Sequence, residues 1–453
     1  MAATGATLLD GDRAPALLRI GTDTRTLETG DTFLALRGEQ FDGQDFTGEA
    51  VRRGAAMLVV EDAAARIAGT PTMVVERTER AYLQLARLAA EAFEGRIVAI
   101  TGSTGKTTTK SFLAQLCGPK YRVAVSPANE NNEIGVGKLM LSLSDEEHDL
   151  AIVEMGARHA GDIAVLVETA LPQVGILTNV GDAHVEIMGS RERLAETKWA
   201  LFSGGARAVL NANDDVSRER APGLREPRSN CWFVALSSRG RLAGYEQFEH
   251  LAAVVGNDRL VVREGGKTNE YAIATTLPGL YNRFNLAAAI AGALALDVPA
   301  ERLISEIPAL QLPQGRYHRL EIEGGPRVIF DAYNANASGM IAVLDAFANE
   351  SAPRKIAVLA SMAELGEEAQ TLHERVGERA ATAVDVLLVS GDFAAALARG
   401  ARRAGLEASR IVSIEDNSHA AAWLRANASG EDLVLLKGSR KYKMEEIVEE
   451  LRA

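Results

Sequence analysis

The most constraining stretch of this chain carries the apolar run Ile97-Val98-Ala99-Ile100 through Thr101-Gly102-Ser103-Thr104-Gly105-Lys106-Thr107-Thr108-Thr109-Lys110 into Ser111-Phe112-Leu113-Ala114-Gln115-Leu116. A buried strand, a glycine turn and a helix start, in that order, call for a layered α/β fold and offer a cradle for phosphate. The glycines let backbone N–H groups turn toward an anion, and the helix adds the positive end of its dipole. Lys106 is the point charge for the outer phosphates, and the Thr107 hydroxyl suits Mg²⁺. The longer form of the phosphate loop asks for glycine at position 100, where Ile100 stands. Taken alone, the stretch also reads as a strand-to-helix turn whose Gly and Thr serve local geometry.

The rest of the chain supplies the layers. Its 453 residues suit roughly three domains at about 150 residues each. From Leu17 to Val75 short strands and turns alternate, with apolar strands at 55–60 and 72–75. A helix at 80–93 carries Leu83, Leu85, Leu88 and Ala89 inward. This small mixed α/β module closes near Glu94-Gly95, giving a first domain of 1–94. Strands at 97–100, 149–154, 174–179 and 206–211 alternate with helices, which predicts a P-loop-type parallel sheet. Residues 228–277 break that rhythm and read as an antiparallel addition, and 285–295 as an alanine-rich helix, so the second domain is 95–312. Strands at 328–331, 356–359, 386–389, 411–414 and 433–436 then build a doubly wound, Rossmann-like third domain, 313–453.

Charge and cysteine content narrow the function. With 49 basic against 61 acidic side chains and a net charge of −12, the chain is not built as a nucleic-acid surface, and an anionic ligand needs a local basic pocket. Cys117 and Cys231 fit neither a disulfide framework nor a zinc cluster. No apolar run nears the length of a membrane span, and no basic-then-apolar leader opens the sequence, so a cytoplasmic protein is expected.

In a parallel sheet, ligands gather at the carboxyl ends of strands. Glu154 ends one strand, and Asn179 with Gly181-Asp182-Ala183-His184 follows another; both Glu154 and His184 are candidate Mg²⁺ ligands, the carboxylate being the more natural for a hard cation. The alternative for His184 is a loop histidine satisfied by its neighbours, and for Lys198, between apolar residues on a helical stretch, a lysine whose stem lies along the core. Lys437-Gly438-Ser439-Arg440-Lys441-Tyr442-Lys443 stands between the strand 433–436 and a helix over 444–451. It reads as an anion site at a helix start or as a solvated basic turn.

Several stretches together resemble the Mur ligase family, ATP-dependent amide-bond ligases of peptidoglycan precursor synthesis. They are Thr101 to Lys110, Asn131-Asn132-Glu133-Ile134-Gly135-Val136, Glu154-Met155-Gly156-Ala157, Asn179 to His184, Gly279-Leu280-Tyr281-Asn282-Arg283-Phe284-Asn285, Asp331-Ala332-Tyr333-Asn334-Ala335-Asn336 and Lys437 to Arg440. The resemblance spans all three expected domains in order, and it accounts for Ile100, since the family uses the shorter glycine pattern. It implies that Gly102, Ser103, Thr104, Gly105, Lys106, Thr107, Thr108, Asn282, Asn285, Arg316 and Asp331 bind ATP. Thr107 and Glu154 would hold one Mg²⁺, and His184 a second, together with Lys198 carbamylated by CO₂; Lys106, Lys198, His184 and Glu154 form the catalytic set. Asp23, Thr24, Arg25 and Gln44 would serve a uridine nucleotide, and Asn132, Asn334, Asn336, Ser439 and Arg440 the remaining substrate groups. Gln44 stands where the family commonly has histidine, Ala337 where it has proline, and Ala360-Ser361-Met362 where Gly-Asp-Met is common.

The activity so implied is addition of D-alanyl-D-alanine to UDP-N-acetylmuramoyl-tripeptide, by a monomer, through an acyl phosphate. The rivals are a sister ligase that adds a diamino acid to the dipeptide precursor, a folylpolyglutamate-type ligase, a P-loop kinase or regulatory NTPase, and an inactive binding protein. The kinase reading has no use for His184 or Lys198, and the folylpolyglutamate reading none for the first domain.

Overall fold

The computed structural model describes residues 7–10, 19–38, 41–127, 129–181, 188–237 and 240–453. These form two compact units, one drawn from Met1–Ile97, Tyr121–Met155 and Ala164–Gln173, the other from Val98–Lys120, Gly156–Ile163 and Val174–Ala453.

In the first unit, Ile20–Gly21, Thr32–Leu34, Met57–Val60 and Thr72–Val74 pair in parallel, and Thr7–Leu9 closes the sheet antiparallel to Thr72–Val74. Strands Met57–Val60 and Thr32–Leu34 are buried on both faces, as their unbroken apolar or β-branched sequences require. The helix expected at 80–93 runs Thr78–Ala92. Its buried face is Ala81, Tyr82, Ala86 and Ala90 rather than the leucine set: Leu88 is 44% exposed, while Leu83 and Leu85 are partly covered. Tyr82 explains the rotation. Its ring is buried, and its hydroxyl donates to the Ile134 carbonyl at 3.0 Å, so the helix Glu133–Leu141 packs on that side and shares the core. Strands Val123–Val125 and Leu150–Glu154 form a parallel pair in the same unit.

In the second unit, Arg96–Thr101, Val174–Leu177, Arg207–Asn211, Cys231–Leu236 and Leu251–Val255 run parallel in that order. The antiparallel addition is narrower than the sequence suggests, since only Arg259–Glu264 and Lys267–Ala272 turn back. The helix expected at 285–295 spans Gly279–Ala295 and is buried from Asn285 to Ala295. Its alanines let it lie close against both the sheet and the helix Lys106–Cys117.

A second sheet of this unit has the order His318–Glu321, Arg327–Phe330, Leu433–Lys437, Lys355–Ala360, Val386–Ser390, Ile411–Ser413. All neighbours are parallel except the first pair. Alternation of period two feeds two cores: Ala357 and Leu359 face one, Ile356 and Val358 the other. His318–Glu321 is mostly exposed, so it carries no apolar pattern that the sequence offers to a reader. The doubly wound arrangement puts the turns after Phe330, Ala360, Ser390 and Lys437 at the carboxyl ends of adjoining parallel strands.

Candidate nucleotide and ligase site

The cradle is held in a shape that only glycine allows at two points. Gly102 has φ +149° and Gly105 φ +84°. A Cβ at Gly102 would lie 1.9 Å from Thr178 Oγ1, and one at Gly105 would lie 2.3 Å from Asn285 Oδ1. The loop is latched from the neighbouring strand end. Thr178 Oγ1 donates to the Thr104 carbonyl at 2.6 Å, and the Asn179 side chain accepts from the Thr104 N–H at 3.2 Å and donates to Thr104 Oγ1 at 2.9 Å. The Ser103 hydroxyl accepts from the Gly181 N–H at 2.9 Å, and Asn211 Nδ2 holds the Thr178 carbonyl at 3.0 Å. Lys106 opens the helix Lys106–Cys117 and folds back so that Nζ donates to the Gly102 carbonyl at 2.8 Å. Thr107 is half-buried and Thr108 buried in the same first turn. Thr178 and Asn179, absent from the sequence-derived ligand set, hold the cradle's shape.

Lys198 lies on the helix Arg191–Trp199 and is 2% exposed. Burial, and then the positive charge of Lys106, hold its ammonium well below the ordinary lysine range. Burial with no carboxylate paired to it among the described residues disfavours the charged form. His184 falls outside the described residues.

Asn282 and Asn285 are both buried on the helix Gly279–Ala295. Asn282 Nδ2 donates to the Pro278 carbonyl at 2.9 Å, while Asn285 meets Gly105 as described. Asp331 is 3% exposed and is gripped on three sides. Lys437 Nζ donates to its Oδ1 at 2.8 Å and to its carbonyl at 3.0 Å, and the Tyr317 N–H donates to Oδ2 at 2.9 Å. Arg316, which the family resemblance pairs with Asp331, lays its guanidinium over the Tyr333 ring at 4.5 Å.

The basic turn at 437–443, read as an anion site or a solvated basic turn, is built from paired charges. Its helix begins only at Glu445, after a tight turn at Arg440–Tyr442. Three of its cations already have carboxylates: Lys437 has Asp331, Arg440 has Glu445 at 2.8 Å and Lys441 has Asp392 at 2.8 Å. Ser439 is buried, and its N–H donates to the Ser361 carbonyl at 3.3 Å. Asn334 is exposed, with its carbonyl accepting from Lys437 at 2.9 Å. Asn336 caps the helix Ala337–Ala348, Oδ1 accepting from the Gly339 N–H at 2.8 Å.

In the first unit, Asp23 caps the turn Thr24–Thr26 and takes both the backbone and the guanidinium of Arg25, with Nη2 at 2.6 Å from Oδ2. Those bonds pull its carboxyl down to about 2. Gln44 is spent locally: its amide donates to Asp42, and its Oε1 accepts from the N–H groups of Glu61 at 3.0 Å and Asp62 at 2.7 Å. Asn132 caps the helix Glu133–Leu141 through the Gly135 N–H at 3.1 Å. Glu154 ends its buried strand with Oε1 accepting from Asn131 Nδ2 at 3.1 Å and its own N–H donating to Ser126 Oγ at 2.9 Å. Asn131, one place before Asn132, thus orients the Glu154 carboxylate.

A strand-end cradle, a buried lysine on the helix beyond it and a doubly wound third layer define a class, and comparison with known proteins agrees with it. Residues 18–91 match the Mur ligase family, catalytic domain, residues 100–293 the Mur ligase middle domain, and residues 315–440 the Mur ligase, glutamate ligase domain. The chain belongs to the Mur ligase family. It is 34% identical over 441 residues to the UDP-N-acetylmuramoyl-tripeptide--D-alanyl-D-alanine ligase of Synechocystis sp., covering 96% of this chain and 92% of that protein. A crystal structure of MurF from Acinetobacter baumannii superposes with a TM-score of 0.85 at 27% identity, covering 100% of this chain and 97% of that one. MurF ligase from Thermotoga maritima, in complex with ADP, superposes with a TM-score of 0.81 at 27% identity, covering 97% and 98%. Among the described residues no helix is long and apolar enough to cross a membrane.

Proposed function

We propose that this chain uses ATP to join D-alanyl-D-alanine to UDP-N-acetylmuramoyl-tripeptide, a step of peptidoglycan precursor synthesis. The observation that carries the reading is the cradle itself, Gly102 to Lys106, latched by Thr178 and Asn179 and closed on one side by Asn285. Full-length likeness to ligases of that name supports the choice of substrates.

The chemistry has two steps. A carboxylate oxygen of the tripeptide attacks the γ-phosphorus, the bond to ADP breaks, and an acyl phosphate forms. The dipeptide amine then attacks the acyl carbon, gives up a proton, and phosphate leaves. Lys106 offsets charge on the phosphates, and the backbone N–H groups of Gly105 to Thr107, with Thr108 behind them, line the phosphate path; Gly102, Ser103 and Thr104, the last two held by Asn179 through their N–H groups, shape its wall. Asn282 and Asn285 border the nucleotide from their helix, and Arg316 and Asp331 meet it from the third domain. The roles of the three expected domains, 1–94 for the uridine nucleotide through Asp23, Thr24, Arg25 and Gln44, 95–312 for ATP and 313–453 for the dipeptide, belong to the same reading. So do Asn132, Asn334, Asn336, Ser439 and Arg440 as substrate contacts.

The donor set suits Mg²⁺. Thr107 offers a hydroxyl beside the glycine cradle, and Glu154 offers a carboxylate already oriented by Asn131. Lys198, whose charged form burial and Lys106 disfavour, would as the free amine attack CO₂ and lose a proton to become a carbamate, an oxygen ligand; His184 is its assigned companion. When bound, the ions neutralise phosphate charge and draw electron density from the γ-phosphoryl group. A monomer in the cytoplasm completes the reading, open to light scattering and cell fractionation.

Purified protein is expected to release phosphate only with ATP, UDP-N-acetylmuramoyl-tripeptide and D-alanyl-D-alanine all present. Turnover without the dipeptide, or with a single diamino acid in its place, would overturn the assignment. Lys198→Ala rescued by short carboxylic acids supports the carbamate; a folded, unrescued variant counts against it.

A further inference from the structure

Three parallel strands of the third domain end side by side, at Ala360, Ser390 and Lys437, and one serine ties their ends together. The Ser361 N–H and hydroxyl both donate to the Ser390 carbonyl, at 3.2 and 3.1 Å. Its hydroxyl accepts from the Phe393 N–H at 2.8 Å, and its carbonyl accepts from the Ser439 N–H at 3.3 Å. Ser439 thus takes its place from Ser361.

The next residue is held by an imidazole. His373 is fully buried, and its Nε2 accepts from the Met362 N–H at 2.8 Å, while Nδ1 lies 2.5 Å from the Ala369 carbonyl. A carbonyl can only accept and an amide N–H can only donate, so the ring is neutral with its proton on Nδ1. It stacks on Phe393, with centroids 4.6 Å apart and planes 16° apart. The segment it holds is not a relaxed one, since Glu364, which is not a glycine, has φ of +60°. An external acceptor at Met362 fixes where this strained turn leaves the sheet.

We propose that His373 is a positioning residue for the amine substrate, fixing the strand-end rim through Met362 and Ser361 so that the Ser439 turn presents its groups to the dipeptide. This rests on the proposed ligase reading, and it names which substrate's binding depends on a side chain buried behind the rim. Neither His373 nor Ser361 touches substrate in this scheme.

The test compares two variants in steady-state kinetics of phosphate release. His373→Phe keeps the aromatic stack and deletes the acceptor; it is expected to raise KM for D-alanyl-D-alanine by about tenfold, the weight of one buried hydrogen bond, with KM for ATP unchanged. His373→Gln, which can offer both an acceptor and a donor, is expected to bring KM for the dipeptide back to within about threefold of the parent. If His373→Phe fails to fold, Ser361→Ala replaces it and the same rise is expected. An unchanged KM for the dipeptide, an equal rise in KM for ATP, or no recovery in His373→Gln would overturn the proposal. A parent protein that ignores the dipeptide would instead overturn the ligase reading on which it stands.

Discussion

Two turns in the second unit look alike as sequence and behave differently as structure. Gly102 to Lys106 and Lys437 to Arg440 both follow a buried strand, and both combine glycine, serine and cationic side chains. In the first, both glycines are left-handed, and the helix begins at once with Lys106. In the second, Gly438 is not left-handed, the helix waits until Glu445, and Asp331, Glu445 and Asp392 each take a cation. Gly, Ser and Lys therefore do not by themselves bend a turn into a cradle. What separates the two is whether the turn's backbone is bent into a cradle and whether its charge is already matched.

The sharpest way to break that contrast is Lys106→Met, expected to lower phosphate release by about 10³-fold. A loss below tenfold would mean that the cradle is not where the phosphates sit. Next is Lys437→Met, which leaves Asp331 buried without its partner and is expected to cost about 3–5 kcal/mol in urea unfolding. Arg440→Ala, whose parent side chain is 65% exposed, is expected to cost under about 1 kcal/mol in the same measurement. Equal costs would erase the distinction between a structural and a surface cation within one turn.

Gly105→Ala adds a Cβ where Asn285 Oδ1 stands, at a φ that L residues avoid. It is expected to cost about 1–3 kcal/mol and to weaken ATP binding measured by calorimetry. Gly438→Ala, at a crowded position in the other turn whose φ is not positive, is expected to leave ATP affinity unchanged. The smallest effect is a pH slope. Burial lowers the His373 pKa from 6.5, so between the two values the unfolded chain binds the extra proton. Stability is expected to fall as pH drops below 6.5, and His373→Phe to remove that part of the slope.

What the sequence disclosed follows the range of the interactions. The cradle was legible because its glycines, lysine and flanking strand and helix are contiguous. Its latch was not, because Thr178 and Asn179 come from another strand and Asn285 from a helix far along the chain. Lys437 could be seen as a cation, but its partner Asp331 is 106 positions away. The helix at Thr78–Ala92 was placed correctly and rotated wrongly, since counting leucines cannot reveal that Tyr82 anchors to Ile134. Asn132, Asn336 and Gln44 were read as substrate contacts, and in the structure each also closes a cap or a loop. Their short amide side chains suit either duty, so residue type alone does not separate them.

The 2.3 Å between Asn285 Oδ1 and the Cβ that Gly105 lacks makes these two positions one heritable choice. A gene library randomised at both codons, and selected for growth on this ligase alone, should return them as linked pairs. Residues larger than glycine at 105 should be rare, since a φ of +84° strains them whatever the neighbour, and the few that survive should stand beside something shorter than asparagine at 285. Across generations, the nucleotide pocket would then drift by exchanging volume between a loop and a helix some 180 positions apart.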